Sequence, residues 1–437
     1  MEAETLNPPR GMRDITGDEA KLYYTLFSLF SETASENGFE PIITPTVEYY
    51  RLFEVKSGEE IRKSMYVFED KAGRLLALRP EVTASVIRVY LKEMRARPKP
   101  IRLYYISQCF RYEEPQKARY REFWQGGLEI IGDETVNADV SAAYTASRFL
   151  DKLGLDHKYL VGNVAIYRAF MNMFKVPGEE QDHILHLIDK EMDDQLEKEL
   201  LDRYGSTVRE VVVKLMRGTL DSVMSLVEEF KQGLGDEYNK VVREARRLED
   251  FSKTLSDLGY KVEFSPRLVR GLAYYTGLIW EYKATRGIEQ SIGGGGRYDG
   301  LTSVYSSVYE YSTGLALGLD RIALILMDSK DRLLAKRGLS GVIVVLSENI
   351  PLSVGYGLVK RLSSKFASLT VLATKNLDKA LRVSSRTGVD LALIIGEREF
   401  KDGKVTVRDL NKKTQEEVPL KSIEDYIDTY APKPGST

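Results

Sequence analysis

Two strand-like stretches joined by a basic loop constrain the fold of this chain most strongly. Residues 101–110 and 122–131 each have the length and apolar content of a buried strand. The loop between them carries an Arg-x-Glu sequence at its start and the cations Lys117, Arg119 and Arg121. This pattern predicts a sheet hairpin whose loop suits a nucleotide phosphate or the end of a nucleic acid.

Alternation along the two strands predicts which side chains of the hairpin meet. Ser107, Cys109 and Arg111 share one face of the first strand. One face of the returning strand carries Phe123, Gln125, Gly127 and Glu129. If both faces look into one cavity, the arginine can clamp a phosphate, the ring can stack on a purine, and Gly127 leaves room for a ligand. A polar sheet surface with ordinary ion pairs fits the same residues.

A second informative stretch runs from Leu268 to Thr276. It places Arg270 and the pair Tyr274 and Tyr275 around a glycine turn, as a small polar pocket requires. Because the chain contains 26 tyrosines, core packing is the competing interpretation for these rings.

Composition narrows the class of protein. A chain of 437 residues with 29% charged residues predicts a globular protein of two or three domains. The net charge of −2 means that any nucleic-acid contact uses local basic patches. One cysteine, Cys109, and no apolar segment in residues 1–10 predict a cytoplasmic protein without disulfides or a membrane span.

The order of predicted elements gives the domains. We expect a catalytic domain over residues 1–327, a charged helical insertion over 176–260 and a C-terminal α/β domain with mostly parallel strands over 338–431. A polar linker is expected over 328–340, and a long apolar helix near Gly314. His183 and His186 lie three apart on a predicted helix, a spacing more typical of a solvated face than of a metal site.

Several motifs carry a resemblance to a known family. Arg111-x-Glu113 followed by Phe123 resembles motif 2 of class II aminoacyl-tRNA synthetases, and the fuller string 110–125 resembles the histidyl-tRNA synthetase family. Six further segments resemble segments of that family. Residues 9–14 resemble its N-terminus, 38–48 motif 1, 78–83 the segment that binds the amino group, 268–276 and 295–301 the two histidine-specific motifs, and 314–321 motif 3.

The resemblance implies a fold and an activity. The expected fold is multidomain α/β with an α+β core: a class II synthetase-like antiparallel sheet flanked by helices, the helical insertion, and a C-terminal anticodon-binding domain. The implied activity joins histidine to tRNA(His) through histidyl-adenylate, with ATP as substrate and Mg²⁺ on its phosphates. A homodimer is implied as well.

The resemblance also assigns the site residues. The implied histidine pocket comprises Glu81, Thr83, Gln125, Glu129, Tyr274, Tyr275 and Tyr298. The implied ATP contacts are Arg111, Glu113, Phe123, Arg270 and Arg321, of which Arg111 and Arg270 are the catalytic pair at the α-phosphate. The implied contacts to the tRNA acceptor end are Gln116, Lys117, Arg119 and Arg121.

Two other functions remain open on the sequence. One is a non-catalytic paralogue, the synthetase-like regulatory subunit of ATP phosphoribosyltransferase, which binds histidine without making adenylate. The other is an RNA-binding module, which leaves the Arg270 segment unexplained.

The run Gly293–Gly296 lacks the strand and helix context of a dinucleotide-binding loop. Ala273 and Trp124 replace residues common in the family, at positions without an assigned substrate contact.

Overall fold

The computed structural model describes residues 6–54, 63–115, 118–269, 274–328, 341–363, 365–366, 369–376 and 389–430. The chain divides into two compact units, residues 1–330 and 331–437. Gln116, Lys117, Arg270 and Ala273 lie outside the described residues, as do residues 329–340 of the expected linker.

An eight-stranded sheet forms the centre of the first unit, with strand order β1-β5-β6-β11-β10-β9-β7-β8. Its strands are β1 (Glu40–Pro41), β5 (Ile101–Phe110), β6 (Glu122–Ile131), β7 (His157–Asn163), β8 (Lys261–Phe264), β9 (Leu278–Ala284), β10 (Ser291–Arg297) and β11 (Ser312–Gly318). The inner pairings are antiparallel, and only the edge strands β1 and β8 pair in parallel. The expected antiparallel sheet is confirmed.

Helices cover both faces of this sheet. They include α1 (Gly17–Glu36), α2 (Tyr50–Glu54), α3 (Thr83–Val89, continued by a π-helical turn Tyr90–Met94), α4 (Val136–Lys152) and α5 (Val164–Met173). The back face packs Leu128 and Ile130 of β6 against the α1 and α4 side chains. The front face carries the intervening residues of β6, so polar groups such as Glu129 point to the side opposite that apolar core.

The stretch from Gly178 to Asp257 is helical throughout. It contains α6 (Gly178–Asp189), α7 (Asp193–Tyr204), α8 (Ser206–Arg217), α9 (Leu220–Glu229), α10 (Lys231–Leu234) and α11 (Asp236–Asp257). Each long helix buries an apolar stripe, such as Val208, Val211, Val212 and Leu215 of α8. The stripes of α6 to α10 join the same apolar cluster as α5, whereas Leu248, Phe251 and Leu255 of α11 belong to the cluster on the back of the sheet.

The expectation of a long helix from near Gly314 is wrong. Residues 312–318 form β11, and the helix α13 (Leu319–Asp328) begins only afterwards, following a short α12 (Thr302–Tyr305). A fully buried strand alternates too little to be told from a helix by its sequence. The close pairing of β10 and β11 requires glycine, since a Cβ at Gly295 would lie 2.3 Å from the Gly314 carbonyl oxygen.

A small antiparallel sheet lies beside the large one, with order β2-β4-β3. Its strands are β2 (Val47–Tyr49), β3 (Val67–Glu69) and β4 (Leu75–Leu78). Tyr49, Phe68 and Leu75 are exposed on it, at 56%, 42% and 44%. This sheet therefore presents apolar side chains to the outside of the chain.

The second unit is a five-stranded sheet with order β13-β12-β14-β15-β16. Its elements are β12 (Val342–Ser347), α14 (Leu352–Leu362), β13 (Leu369–Thr374), β14 (Leu391–Ile395), α15 (Glu397–Lys401), β15 (Lys404–Asp409), β16 (Thr414–Pro419) and α16 (Ile423–Tyr430). Strands β12 to β14 are parallel, as expected. The antiparallel β15 and β16 were not predicted, because polar or charged residues occupy four of the six positions in each strand and weaken their apolar signal.

A buried ion pair joins the helices behind the sheet to β10. Arg297 is fully buried, and its Nε donates to Asp139 Oδ2 of α4 at 2.9 Å. Its remaining donors reach the carbonyl oxygens of Asp133, at 3.0 Å, and Thr135. Its Nη1 also pairs with Asp299 Oδ1 at 3.2 Å, so Asp139 and Asp299 together compensate the buried guanidinium.

Replacing Asp139 by Ala should destabilise the first unit by about 3 kcal/mol, because it leaves Asp299 as the remaining carboxylate partner of the buried Arg297 charge. Both tryptophans, Trp124 and Trp280, belong to this unit, so urea unfolding followed by their fluorescence measures the loss. Asp257→Ala, which removes an exposed partner of Lys253, is the matched control and should change stability little. Equal losses in both variants would contradict the role given to Asp139.

Candidate active site

A cavity of about 440 Å³ opens on the front face of the large sheet. Many of the residues selected from the sequence line it: Glu81, Thr83, Arg111, Glu113, Arg119, Phe123, Gln125, Tyr274, Tyr275, Tyr298 and Arg321. They come from α3, the β5–β6 hairpin, the segment before β9, the residue after β10, and α13. Segments far apart in sequence thus meet at one site of the size a small molecule needs.

The deep end of the cavity is built around the carboxyl group of Glu129. Its Oε1 accepts a hydrogen bond from Thr83 Oγ1 at 2.7 Å, and its Oε2 accepts one from the Tyr298 hydroxyl. The Tyr274 ring packs edge-on against the Tyr298 ring, with 5.8 Å between centroids. Glu129 is 1% exposed, so it lies behind the residues that line the cavity and is held from two sides.

Burial governs the ionisation of this end of the cavity. It raises the pKa of Glu129 to about 8, although hydrogen bonds from Tyr298 and Thr83 act in the opposite direction. Burial also raises the pKa of Glu81, whose carboxylate accepts from the Ala84 backbone N–H at 3.2 Å. The stability that the protonated Glu129 provides is complete at acidic pH and is lost as pH rises through about 8.

Gly127 has a different role from the one its sequence indicates. The space above it holds the Tyr105 ring, because a Cβ at Gly127 would lie 2.1 Å from Tyr105 Cζ. Tyr105 is directly opposite Gly127 in the β5–β6 pairing and lines the cavity. The glycine therefore makes room for a protein side chain that forms part of the wall.

Gly314 supports Glu129 in the same way. The two residues are paired across β11 and β6, and a Cβ at Gly314 would lie 1.8 Å from Glu129 Oε2. Ala316 occupies the next front-facing position, opposite Gly127. The floor of the cavity is thus made of backbone and very small side chains, on which a flat polar ligand can lie close to the sheet.

The nucleotide-like features of the hairpin are also in place. Arg111 Nε donates to the Pro80 carbonyl oxygen at 2.9 Å, and its guanidinium lies 5.4 Å from the Phe123 ring centroid. Glu113 forms an ion pair with Arg119 at the start of the loop. A cation and an aromatic ring therefore stand side by side in the cavity wall, an arrangement that suits a phosphate next to a purine.

Arg321 completes the opposite wall. Its guanidinium donates to the carbonyl oxygens of Ser291 and of Ala118, the latter at 3.4 Å. The preceding Asp320 accepts from the Trp124 backbone N–H at 2.6 Å and from the Tyr23 hydroxyl at 2.7 Å. Asp320 thus fixes the start of α13 against β6 and α1, and this contact sets where Arg321 enters the cavity.

Comparison with known proteins identifies the family. A model described as Histidyl-tRNA synthetase matches residues 11–322, and one described as Anticodon binding domain matches residues 342–430. The histidine–tRNA ligase of Sulfolobus acidocaldarius is 38% identical over 429 residues, covering 96% of this chain and 98% of that protein. The chain belongs to the histidyl-tRNA synthetase family.

Solved structures of this family share the fold. The histidyl-tRNA synthetase from Nostoc sp. PCC 7120 has a TM-score of 0.76 at 19% identity, covering 97% of this chain and 99% of that one. A Bacillus halodurans protein described as an ATP phosphoribosyltransferase regulatory subunit/histidyl-tRNA synthetase has a TM-score of 0.71 at 23% identity, covering 89% and 97%. At these identities the likeness concerns the fold alone.

Arg121, which was expected to contact the tRNA acceptor end, is buried within the chain. Arg121 is 8% exposed, and its Nε donates to the Glu113 carbonyl oxygen at 3.0 Å. Its guanidinium lies 3.8 Å from the Tyr112 ring centroid, and its backbone N–H donates to the Gly11 carbonyl oxygen at 2.8 Å. In this position Arg121 holds the hairpin loop to the N-terminal segment, and its expected contact with the tRNA acceptor end stays a prediction.

Trp124, one of the two residues that depart from the common family sequence, lies away from the cavity. The Trp124 ring packs on Phe27, with 4.6 Å between centroids, on the face of β6 that carries Leu128. Ala273 lies outside the described residues.

His183 forms an ion pair with Glu199 at 2.9 Å, and the described part of the chain holds no cluster of three or more metal-ligating side chains.

Sequence reasoning missed several residues of the cavity wall: Tyr105, Asp189, Lys190, Glu281 and Asp320. The signal for Tyr105 was present, because the alternation through Cys109 and Ser107 reaches it two residues further along β5. Asp320 stands next to Arg321 in the motif that was recognised. Asp189 and Lys190 carry no such signal, since they reach the cavity only through the packing of the helical insertion.

Gly127→Ala should displace the Tyr105 ring and destabilise the first unit by roughly 1–3 kcal/mol, the usual cost of overpacking. The same change in a Tyr105→Ala background should cost much less, since the clashing ring is gone. A double-mutant cycle by urea unfolding measures the difference. Gly178→Ala, where a Cβ meets nothing within 4 Å, is the control; equal costs of Gly127→Ala in both backgrounds would contradict the packing argument.

Proposed function

We propose that this chain is a histidine–tRNA ligase. It activates histidine with ATP to histidyl-adenylate and then transfers the histidyl group to the 3′ end of tRNA(His). The observation that carries the proposal is a buried carboxyl group, Glu129, aligned by Thr83 and Tyr298 at the end of a cavity whose walls carry Arg111, Phe123 and Arg321. Family membership and the full-length likeness to histidine–tRNA ligases support it.

The deep end of the cavity has the groups that an imidazole requires. A neutral imidazole offers one N–H donor and one acceptor nitrogen. Burial keeps the Glu129 carboxyl group largely protonated below about pH 8. Accepting the imidazole N–H favours its ionised form, and the side chains of Tyr275 and Tyr298 line the space for the other ring atoms. Glu81, Thr83 and Gln125 provide oxygen atoms near the mouth of this pocket for the substrate ammonium group.

The reaction needs positioning and charge stabilisation more than acid–base chemistry. An oxygen of the histidine carboxylate attacks the α-phosphorus of ATP, and the bond to the bridging oxygen breaks to release diphosphate. Arg111 stabilises the charge that builds on the α-phosphate, Phe123 stacks on the adenine, and Arg321 covers its other side. Arg270, by family resemblance, acts opposite Arg111; it lies outside the described residues.

Magnesium fits this cavity as a companion of the ATP phosphates. Mg²⁺ typically takes one or two carboxylates and completes its shell with phosphate oxygens and water. Glu113 and Glu281 both line the cavity, which meets that requirement. When bound, the ion would neutralise charge on the phosphates.

For the second step, the 3′-terminal ribose hydroxyl of the tRNA attacks the adenylate carbonyl, and AMP leaves. Gln116, Lys117 and Arg119 belong in sequence to the basic loop between β5 and β6, and we assign them to the acceptor end. The match of residues 342–430 to an anticodon-binding domain supports the assignment of the second unit to the anticodon. The helical insertion, residues 176–260, is assigned to the acceptor arm by family resemblance.

We further propose a homodimer. The motif 1 region and the small sheet expose a set of apolar side chains that is unusual for a free surface: Ile43, Val47, Tyr49, Val67, Phe68 and Leu75. Ile43 is 95% exposed, and the edge strand β1 lies next to it. A second copy of the chain would bury this patch.

A cytoplasmic location is proposed with the activity, since the substrates of aminoacylation are found there. Within the described ranges, no helix combines the length and apolar composition needed to cross a bilayer.

Histidine-dependent exchange of pyrophosphate into ATP, without tRNA, tests the function directly. A ligase gives exchange with histidine and none with other amino acids. The binding-only paralogue gives none with any amino acid, although it retains histidine affinity. This outcome would overturn the proposed ligase activity.

Glu129→Gln should raise the histidine KM by about one to two orders of magnitude, because a charge-assisted hydrogen bond worth roughly 1.5–3 kcal/mol is lost. The ATP KM should change much less. Glu310→Gln is the matched control, since Glu310 is also buried and accepts from a tyrosine hydroxyl, that of Tyr90 at 2.6 Å. Equal changes in both KM values, or an unaltered histidine KM, would remove Glu129 from the imidazole site.

Removing residues 335–437 should spare histidine activation and impair charging of tRNA, because the residues assigned to histidine and ATP all lie in the first unit. Pyrophosphate exchange and aminoacylation, measured on the same preparation, check this. Circular dichroism and light scattering confirm that the truncated protein is folded and assembled as the full chain is. A parallel fall of both activities would show that the division of labour is wrong.

A further inference from the structure

The helical insertion supplies part of the active-site wall. Asp189, the last residue of α6, and Lys190 after it line the same cavity as Arg111 and Arg321. The family resemblance assigns the insertion to tRNA alone. Asp189 and Lys190 line the cavity in the absence of tRNA. The insertion can therefore affect the activation of histidine as well as the binding of tRNA.

The turn that carries these two residues has a defined backbone geometry. The Met192 N–H donates to the Leu187 carbonyl oxygen at 3.0 Å, and the Glu191 N–H donates to that of Ile188 at 3.2 Å. Glu191 has a left-handed conformation, with φ of +55°. This hydrogen-bond pattern is a Schellman ending, so the position of Asp189 and Lys190 follows that of the whole α6–α7 turn.

A bidentate ion pair connects this turn to the segment that precedes Arg270 in the sequence. Arg267 Nη1 donates to Asp193 Oδ1 at 2.8 Å, and Nη2 donates to Oδ2 at 2.6 Å. Asp193 is the first residue of α7. Arg267 is three positions before Arg270 in the sequence.

The other side of the Arg267 segment is fixed to the body of the unit. The Tyr167 hydroxyl of α5 donates to the Pro266 carbonyl oxygen at 2.8 Å, and the Ser265 N–H donates to that of Val161 at 2.8 Å. The backbone next to Arg267 is therefore fixed. Because the guanidinium makes two parallel hydrogen bonds, it constrains both the distance and the orientation of the Asp193 carboxylate.

We propose that the Asp193–Arg267 ion pair is a latch that holds the α6–α7 turn against the cavity, so that the insertion positions ATP in the tRNA-independent activation step. The inference rests on the proposed function for its kinetic readout. The pair is about 30% exposed on both sides (29% and 31%). A pair this exposed adds little to global stability, so its effect should appear in substrate binding.

The test uses the full-length enzyme with Asp193→Asn and Arg267→Lys. Asp193→Asn keeps the size of the side chain and removes its charge. Arg267→Lys keeps the charge and removes the guanidinium group that makes two parallel hydrogen bonds. Glu180→Gln is the matched control, because Glu180 pairs with Arg203 between the same two helices, at 3.0 Å, and does not line the cavity. Pyrophosphate exchange without tRNA gives KM and kcat for ATP and histidine.

We expect Asp193→Asn to raise the ATP KM on the order of 10-fold, as a small misplacement of a binding wall does, with the urea midpoint unchanged. Arg267→Lys should give a smaller rise, and Glu180→Gln should match the wild type. An ATP KM of Asp193→Asn within twofold of wild type would overturn the latch, whatever happens to tRNA charging.

Amide hydrogen exchange separates failure of the latch from failure of the proposed function. Residues 188–192 should exchange faster in Asp193→Asn than in wild type or Glu180→Gln, a result that needs no catalytic activity. Unchanged exchange in this turn would overturn the latch independently. Absence of pyrophosphate exchange in the wild type would instead overturn the ligase assignment.

Discussion

The hydrogen-bonded carboxyl group of Glu129 is the constraint around which the site is arranged. It ties β6 to Thr83 at the start of α3 and to Tyr298 after β10. A buried carboxyl without such partners would be costly, so these three elements must meet for the fold to be stable. The groups that stabilise Glu129 are also those that shape the pocket, and stability and specificity therefore depend on the same contacts.

The glycines of the central strands follow from that arrangement. Gly314 gives space to the Glu129 carboxyl group, and Gly127 gives space to the Tyr105 ring. Each glycine removes a side chain from the sheet so that a functional group from a neighbouring strand can occupy its place. Gly295 does the same for the packing of β10 on β11. The weak strand propensity of these residues is offset by pairing in the middle of an eight-stranded sheet.

The sequence predicts most of the fold and most cavity residues. The elements and residues that it did not predict were missed for different physical reasons. The hairpin pattern and the motifs place Arg111, Phe123, Gln125 and Arg321 at the cavity. The strand at Gly314 was mistaken for a helix because a strand buried on both faces loses its alternation. Lys190 could not be found, since only the folded insertion brings it there. The burial of Arg121 was not predicted, because a cation in a basic loop gives no sign that it is buried.

The contacts of Asp320 have a consequence for the order in which the protein matures. Tyr23 and Arg13 donate to this carboxylate from positions 297 and 307 residues earlier in the chain. At roughly 5–20 residues per second of synthesis, these side chains emerge from the ribosome well before their partner exists. The nucleotide side of the cavity is therefore assembled last, when α13 leaves the ribosomal tunnel. Until then Arg13 and Tyr23 lack the carboxylate that accepts their hydrogen bonds in the folded protein.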